Sequence, residues 1–421
     1  MRIAHIADTH LGYRQYNLEE RENDIYDAFC EAIEIALNER AEVLILAGDT
    51  FDSATPPVKA LHVFKEALRK IDGRMKVLTV LGDHDMPRRR GMPPHKLFDV
   101  SVLGVHGIEC TEIRGILFGG ISNLKGKYSN ALRSEIKKFE RIASKYRKSV
   151  LIAHQAVERF LPFEGAYELS NDDLPKNVDY YAFGHVHSRQ NIRINDGIFA
   201  YAGSTEIMRK DEISSWKKHG KGFYLVDLDG DEPILHTINL NIRPQFEEEV
   251  EEDALNDLKI PDGGGKPPIL HLTVGGKHIN RKKVMEDVEK MLRGKVLTYK
   301  IAFKERGISS SALTEAVRGG SEGVLLEIFK SFLGEELAEL ALSLHRKLST
   351  GNIEDAIKIA EAFFNEHFKC GASENAQERQ QKLAANEARE RNEVGKKKKR
   401  ERKGKKRGEQ RRVREVFKMW W

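Results

Sequence analysis

The first 240 residues alternate short apolar runs with stretches of helical spacing, and that rhythm leaves few folds open. Ile3–Ala7, Val43–Ala47, Val77–Leu81, Val150–Ala153 and Tyr180–Phe183 read as short buried strands, each followed by polar or glycine-containing sequence. Between them, Glu20–Leu37 and Val58–Leu68 carry helical spacing. This βαβ pattern predicts an α/β sheet with helices outside it. From Ile192 to Leu240 strand signals take over, at Ile198–Tyr201, Gly222–Leu228 and Ile234–Leu240. They predict antiparallel strands closing a second sheet.

Near Arg243 the pattern changes. Glu247–Asp253 is acidic, and Pro261–Pro268 is rich in glycine and proline and reads as a loop. Ile269–Val274, a helix near Asn280–Leu292 and Val296–Phe303 then form a compact βαβ unit. Arg306–Gly320 reads as a linker. Leu325, Ile328, Phe329, Phe332, Leu333, Leu337, Leu340, Ala341, Leu344 and Leu348 make one helical stripe. Thr350-Gly351-Asn352 breaks it, with Asn352 as N-cap of a second stripe at Ile353, Ile357, Ala360, Phe364 and Phe368. Two readings of this αα-hairpin are open: it packs on the body, or it docks a partner, which its place after a linker favours.

The net charge of +5 hides an asymmetry. Lys396–Arg414 holds 13 Lys/Arg and two Glu, a net of +11 that leaves −6 for the rest of the chain. Such a tail is either a solvated end or a polyanion-binding arm. Its apolar terminus, Val416, Phe417, Met419, Trp420 and Trp421, reads as a small anchor. Three separated cysteines argue against a disulfide scaffold and a zinc finger, and fit a reducing cytoplasm. No apolar run reaches the ~20 residues of a membrane span. Met1 leads directly into the first strand, so no signal peptide is expected.

Chemistry concentrates where the strands end. Asp8-Thr-His10, Gly48-Asp49-Thr-Phe-Asp52, Gly82-Asp83-His84-Asp85, Ala153-His154 and Gly184-His185-Val-His187 follow one another in order. Strand ends are where an α/β sheet presents ligands, and Gly48, Gly82 and Gly184 allow sharp exits. Mixed carboxylate and imidazole donors suit manganese, iron or zinc better than magnesium or calcium alone. Two ions account for the number of donors. Asp8, His10, Asp49 and His187 would hold one; Asp49, Asp83, His154 and His185 would hold the other. Sharing Asp49 places the ions about 3.5–4 Å apart, with a water or hydroxide between them ready to attack phosphorus. His84 remains beside the site, to contact phosphate or protonate the leaving oxygen. Any single histidine is more often an ordinary polar residue, and His5, His62, His95, His106 and His271 are taken as such. The ordered set of five, from 15 in the chain, is not explained that way.

These elements resemble the calcineurin-like metallophosphoesterases over about residues 1–240. A nearer resemblance rests on Asp8-Thr-His10-Leu-Gly-Tyr, the Asp24–Phe29 helix, Gly48-Asp-Thr-Phe-Asp52 followed by Pro56-Pro57, and Gly184-His-Val-His187. Together they look like the archaeal Mre-eleven, SbcD-like, double-strand-break repair nucleases. That resemblance implies a two-sheet α/β sandwich with a dinuclear centre and the ligands assigned above. It implies a nuclease domain at 1–242, a small α/β DNA-binding capping domain at 243–305, a linker at 306–323, and a helical hairpin at 324–370 docking a Rad-fifty-type ATPase. The basic tail at 371–421 matches nothing and is expected to be disordered. The family's activity is manganese-dependent, with two Mn2+ ions and Mg2+ as a weaker substitute. It comprises 3′-to-5′ exonuclease cleavage of duplex DNA and endonuclease cleavage of single strands, on broken ends headed for recombination. Homodimers are implied through helices, here Val58–Leu68 and the stretch after Pro94. A cytoplasmic, nucleoid-associated protein follows, with no membrane partner.

One departure stands out. Asp83 occupies a position where the resemblance leads one to expect Asn. Three carboxylates against two divalent ions leave +1 rather than +2, which predicts tighter binding of the second metal and weaker attraction for phosphate; the alternative is that Asp simply substitutes as a ligand. Asp52 either repels phosphate or caps its turn, and the cap is favoured. Tyr13, Arg14, Tyr16 and the run Arg88, Arg89, Arg90 are candidate DNA contacts, the arginines as a phosphate grip or as solvated surface. Three rival functions remain open: a protein phosphatase or small phosphodiesterase on the same metal core; a non-catalytic DNA-end tether and scaffold for the ATPase; and a tail that binds RNA or an acidic protein.

Overall fold

The computed structural model describes residues 1–87, 91–124, 129–161, 167–277, 279–305, 325–326, 329–330, 335–349 and 352–368. Arg88–Arg90, the 306–323 linker and the 371–421 tail therefore lie outside the described residues. The chain divides into two compact units, Met1–Glu305 and Arg306–Trp421.

Two six-stranded sheets face each other in the first unit. One runs β12 (Ile234–Asn239), β11 (Gly222–Asp227), β1 (Arg2–Ile6), β2 (Val43–Ala47), β3 (Lys76–Val80) and β4 (Ser101–Val102). The other runs β5 (Glu109–Ile113), β6 (Ile116–Ile121), β7 (Lys148–His154), β8 (Tyr180–Gly184), β10 (Gly197–Tyr201) and β9 (Gln190–Ile194). β1, β2 and β3 pair in parallel, as do β6, β7 and β8, so the carboxyl ends of each trio open on one side.

Burial on both faces explains the continuous apolar runs. Ile3, Val43, Ile45 and Ala47 meet Phe118, Val150, Ile152 and Ala182 between the sheets. Ala4, Ile6, Leu44 and Leu46 point the other way, onto α1 (Glu19–Asn38) and α2 (Val58–Ile71). Leu151, Phe183 and Phe199 pack outward beneath α3 (Ser129–Ala143), and the short α4 (Ile213–His219) leads into β11. The result is a helix–sheet–sheet–helix sandwich.

Two sequence expectations need correction, and the acidic stretch to which the sequence assigned no element forms a strand. β11 and β12 do not close the second sheet; they extend the first, antiparallel to β1, through pairs such as Ile3 with Val226. The acidic Glu247–Asp253 stretch contains most of a strand, β13 (Gln245–Glu251), which pairs in parallel with β14 (Ile269–Gly276). The stretch after Pro94 is a single 3-10 turn, Pro94–Leu97, because Pro93 fixes an extended entry and Phe98 is extended again.

β14 pairs with β15 (Thr298–Glu305), and α5 (Arg281–Leu292) packs Val284, Val288 and Leu292 against Leu270, Leu272 and Val274. Asn280 caps α5 by accepting from the Lys283 amide. Arg243 joins this small layer to the sandwich, donating to Asp24 at 2.6 and 3.0 Å.

In the second unit α6 (Glu335–Ser349) and α7 (Ile353–Phe368) form the hairpin, bridged by Lys347 and Asp355 at 3.3 Å. Ala338, Leu342 and Ala356 are buried, whereas Leu337, Leu348, Ile353, Ile357 and Phe364 are exposed. Among the described residues no helix is long and apolar enough to cross a membrane.

Candidate metal centre

The side chains at the strand ends converge at the carboxyl edges of both sheets. β1 delivers Asp8 and His10, β2 delivers Asp49, the exit of β3 carries Asp83 and His84, β7 ends on His154, and β8 leads into His185 and His187. Asp8, His10, Asp49 and His185 all adopt positive φ, at 50, 44, 48 and 92°. Such non-glycine conformations are costly and cluster where function over-determines the backbone. Glycines make the approach possible. A Cβ on Gly48 would sit 2.3 Å from His154 Nδ1, one on Gly82 2.2 Å from Asp49 Oδ1, and one on Gly184 2.1 Å from the Ala47 carbonyl oxygen.

Two donor sets form. Asp8, His10 and His187 offer atoms within 4.8 Å of one another, and so do Asp83, His154 and His185. Asp49 lies between them, with Oδ2 3.8 Å from His10 Nε2 and 3.3 Å from His154 Nε2. Asp8 receives the His185 amide at 3.0 Å.

Three of the imidazoles are oriented by what their Nδ1 touches. His154 Nδ1 donates to the Ala47 carbonyl at 2.9 Å, His187 Nδ1 to Glu212 Oε1 at 2.8 Å, and His10 Nδ1 faces Asp52 Oδ1 at 3.3 Å. Each then turns Nε2 inward, the arrangement in which an outer partner fixes the tautomer of a metal-ligating histidine. His154 Nε2 is buried and has no hydrogen-bond partner. A buried ring nitrogen without a hydrogen-bond partner, 3.3 Å from the Asp49 carboxylate and within a cluster of oxygen and nitrogen donors, is what a cation ligand requires, so the donor set fits a pair of divalent ions.

The charges interact strongly. Burial pushes the Asp8 carboxyl up to about 6, opposed by His154 and reinforced by Asp49. Burial alone would depress the His154 imidazole, but Asp49 and Asp8 overcome it and carry it up to about 10. Asp49 stays well below the usual carboxylate range despite burial, held there by His154 and His10.

The remaining candidates separate. His84 stands at the rim, 47% exposed, its Nδ1 on the Asp52 carbonyl at 2.8 Å and its ring edge-on to His10. Tyr13 lines the same cleft of about 600 Å³. Arg14 is exposed and Tyr16 half-buried, and neither lines it. Tyr16 is turned to the small layer instead, beneath the Lys300 ammonium at 4.7 Å and beside His271. Asp52 is more than a turn cap, since its carboxylate orients His10.

Sequence reasoning missed four residues. Glu212 receives both His187 and Lys221, and these two partners hold it below the usual carboxylate range despite its burial. Asp85 ties the ligand loops together, accepting from the amides of Thr50, Phe51 and Gly82 at 3.2, 3.0 and 3.1 Å. Arg209 brings a guanidinium to the cleft wall, 3.6 Å from both Asp211 and Glu212. No local pattern marks any of them except Asp85, which sits within the Gly82–Asp85 element.

Two facing α/β sheets whose strand ends gather carboxylates and imidazoles around two cation positions define a metal-dependent phosphodiesterase. The calcineurin-like phosphoesterase family model matches residues 1–189. The chain is 35% identical over 381 residues to a DNA double-strand break repair protein Mre11 from Thermoplasma acidophilum, covering 86% of this chain and 98% of that protein. The Sulfolobus acidocaldarius protein of the same name is 36% identical over 315 residues, 72% of this chain and 82% of that one. That from Methanocaldococcus jannaschii is 43% identical over 237 residues, 55% of this chain and 64% of that one. The chain belongs to the Mre11 family.

Proposed function

We propose that this chain is a manganese-dependent DNA nuclease, a 3′-to-5′ exonuclease on duplexes and an endonuclease on single strands. With a Rad-fifty-type ATPase it processes broken ends for recombination. The observation that carries this reading is the set of Nδ1-anchored imidazoles aimed, with Asp8 and Asp49, into one open cleft. Asp8, His10, Asp49 and His187 hold one ion; Asp49, Asp83, His154 and His185 hold the second. Mixed oxygen and nitrogen donors favour manganese, with magnesium a weaker substitute. Bound there, the ions supply Lewis acidity toward a phosphodiester and a nucleophile at neutral pH.

The protein's own groups do the rest. His84, anchored through Nδ1 to Asp52, presents Nε2 to the cleft and holds the proton for the leaving oxygen. Arg209 and Tyr13 face the same space and contact the backbone of the substrate. Residues 1–242 form the nuclease domain, 243–305 the DNA-binding cap, 306–323 a linker and 324–370 the docking hairpin. The exposed row Leu337, Leu348, Ile353, Ile357 and Phe364 suits an apolar partner surface on the ATPase. Homodimers form on the groove of about 1020 Å³ lined by Val58, Leu61, Leu97 and Phe98.

The test is cleavage of end-labelled linear duplex with manganese, set beside a phosphopeptide. Asp8→Ala should abolish cutting, and His84→Ala should lower it by about 10²–10⁴-fold with DNA binding retained. Preference for the phosphopeptide would overturn the nuclease reading. A manganese-loaded parent that binds ends without cutting them would leave the tether role instead.

A further inference from the structure

Residues 202–208 run buried without regular secondary structure between β10 and the short turn that begins at Lys210. Buried loops are rare because their backbone groups need partners. Here side chains supply them, and from two directions. At one end, Glu212 accepts from His187 Nδ1 at 2.8 Å and from the Met208 amide at 3.3 Å. The buried Lys221 ammonium binds Glu212, Ser204 and the His187 carbonyl. At the other end, the Ile207 carbonyl accepts from Arg21 at 2.9 Å and from Gln245 at 3.1 Å, and Gln15 donates to the Met208 carbonyl at 2.8 Å. Glu206 receives Arg21 at 3.1 Å and the Arg243 amide at 3.2 Å. Gln245 and Arg243 belong to the start of the small three-stranded layer, and Gln245 is itself held by His271 of β14.

The geometry points to residues 204–212 as a strap through which the seating of the small layer sets the position of His187 in the metal centre. Glu212 is the positioning residue at the inner end and Gln245 the one at the outer end. Neither would touch a cation or the substrate. The strap acts on the ion held by Asp8, His10 and His187 and leaves the ion of Asp83, His154 and His185 alone, because His187 is the only proposed ligand it grips. The inference rests on the dinuclear reading given above.

A buried segment pinned by hydrogen bonds at Ser204, Glu206, Ile207, Met208 and Glu212 transmits displacement well, because packed interiors yield little. Its two ends are linked by hydrogen bonds within nine residues, so a shift of Gln245 has no soft loop to absorb it. Loss of an outer partner of a metal ligand typically weakens metal affinity by about 10–100-fold.

The full chain is titrated with Mn2+ alone, by calorimetry and by the electron paramagnetic resonance signal of free Mn2+, with unfolding midpoints measured in parallel. The parent should bind two ions. Glu212→Ala should weaken one of them by about 10–100-fold. Glu212→Gln, which keeps an acceptor for His187, should recover most of that loss. Gln245→Met, close in volume and remote from the centre, should weaken the same ion by roughly fivefold or more. A parent that binds fewer than two ions overturns the dinuclear reading itself. A parent that binds two, with either Glu212→Ala or Gln245→Met leaving both affinities unaltered, overturns the strap. Equal weakening of both ions in step with a fallen unfolding midpoint also overturns it, since that is general destabilisation.

Discussion

Individual side chains here are specified by their outer partners as much as by their own chemistry. His10, His154 and His187 differ in what holds Nδ1, a carboxylate, a carbonyl and a second carboxylate, and agree in where Nε2 goes. Asp83 adds a third carboxylate to Asp8 and Asp49. Replacing it by Asn removes one negative charge, so Mn2+ affinity on the His154 and His185 side should fall roughly tenfold while the KM for DNA also falls. Calorimetry and initial rates test this; unchanged values in both would leave Asp83 as a plain substitute ligand. His5 gives a pH prediction away from the centre. It is enclosed between the sheets, donor or acceptor to Tyr180 at 2.7 Å, and burial holds its imidazole down to about 3. The unfolded chain therefore binds an extra proton between about 3 and the free histidine value near 6.5. Its contribution to stability is full above about pH 6.5 and is lost as pH falls through that window. In His5→Gln the unfolding free energy should depend on pH less steeply, by roughly 1.4 kcal/mol per unit between about pH 4 and 6. Denaturant titrations across that range would expose an unchanged slope.

Secondary-structure elements were legible where burial is symmetric and obscure where it is not. β1 and β2 are covered on both faces, so they print as unbroken apolar runs, and the ligands follow at their ends. β13 reads Gln-Phe-Glu-Glu-Glu-Val-Glu and lies at the edge of its sheet, where glutamates discourage further pairing, so composition hid it. The partners of β11 were hidden for another reason: Ile3 and Val226 are paired across more than 200 residues, and no local pattern carries that. The same holds for Glu212, whose ties to His187 and Lys221 cross separate elements. The turn glycines, in contrast, were legible and have separable roles. Gly48→Ala would drive a methyl into His154 at φ +87°, and should cost about tenfold or more in Mn2+ affinity and about 1–3 kcal/mol in stability. Gly73→Ala, at φ +67° with open space around it, should leave Mn2+ binding unchanged. Parallel titrations and urea melts compare the two.

At the scale of the whole molecule, apolar surface is unevenly distributed. Val58 is 81% exposed and Leu97 59%, both on the groove assigned to a second copy. If the proposed homodimer forms there, Val58→Glu with Leu97→Glu should convert it to a monomer in sedimentation while lowering stability by no more than about 0.5 kcal/mol. A parent that sediments as a monomer would remove that assignment. The pairing of β1 with both β2 and β11 has a consequence for synthesis. A nascent chain has nothing to flank its first strand on one side until residue 227 has left the ribosome, and His185, His187 and Glu212 also arrive late. Long-range pairing of this kind closes slowly. A chain that ends before β11 leaves β1 without its antiparallel neighbour, so the frame that carries Asp8 and His10 is completed only late in synthesis.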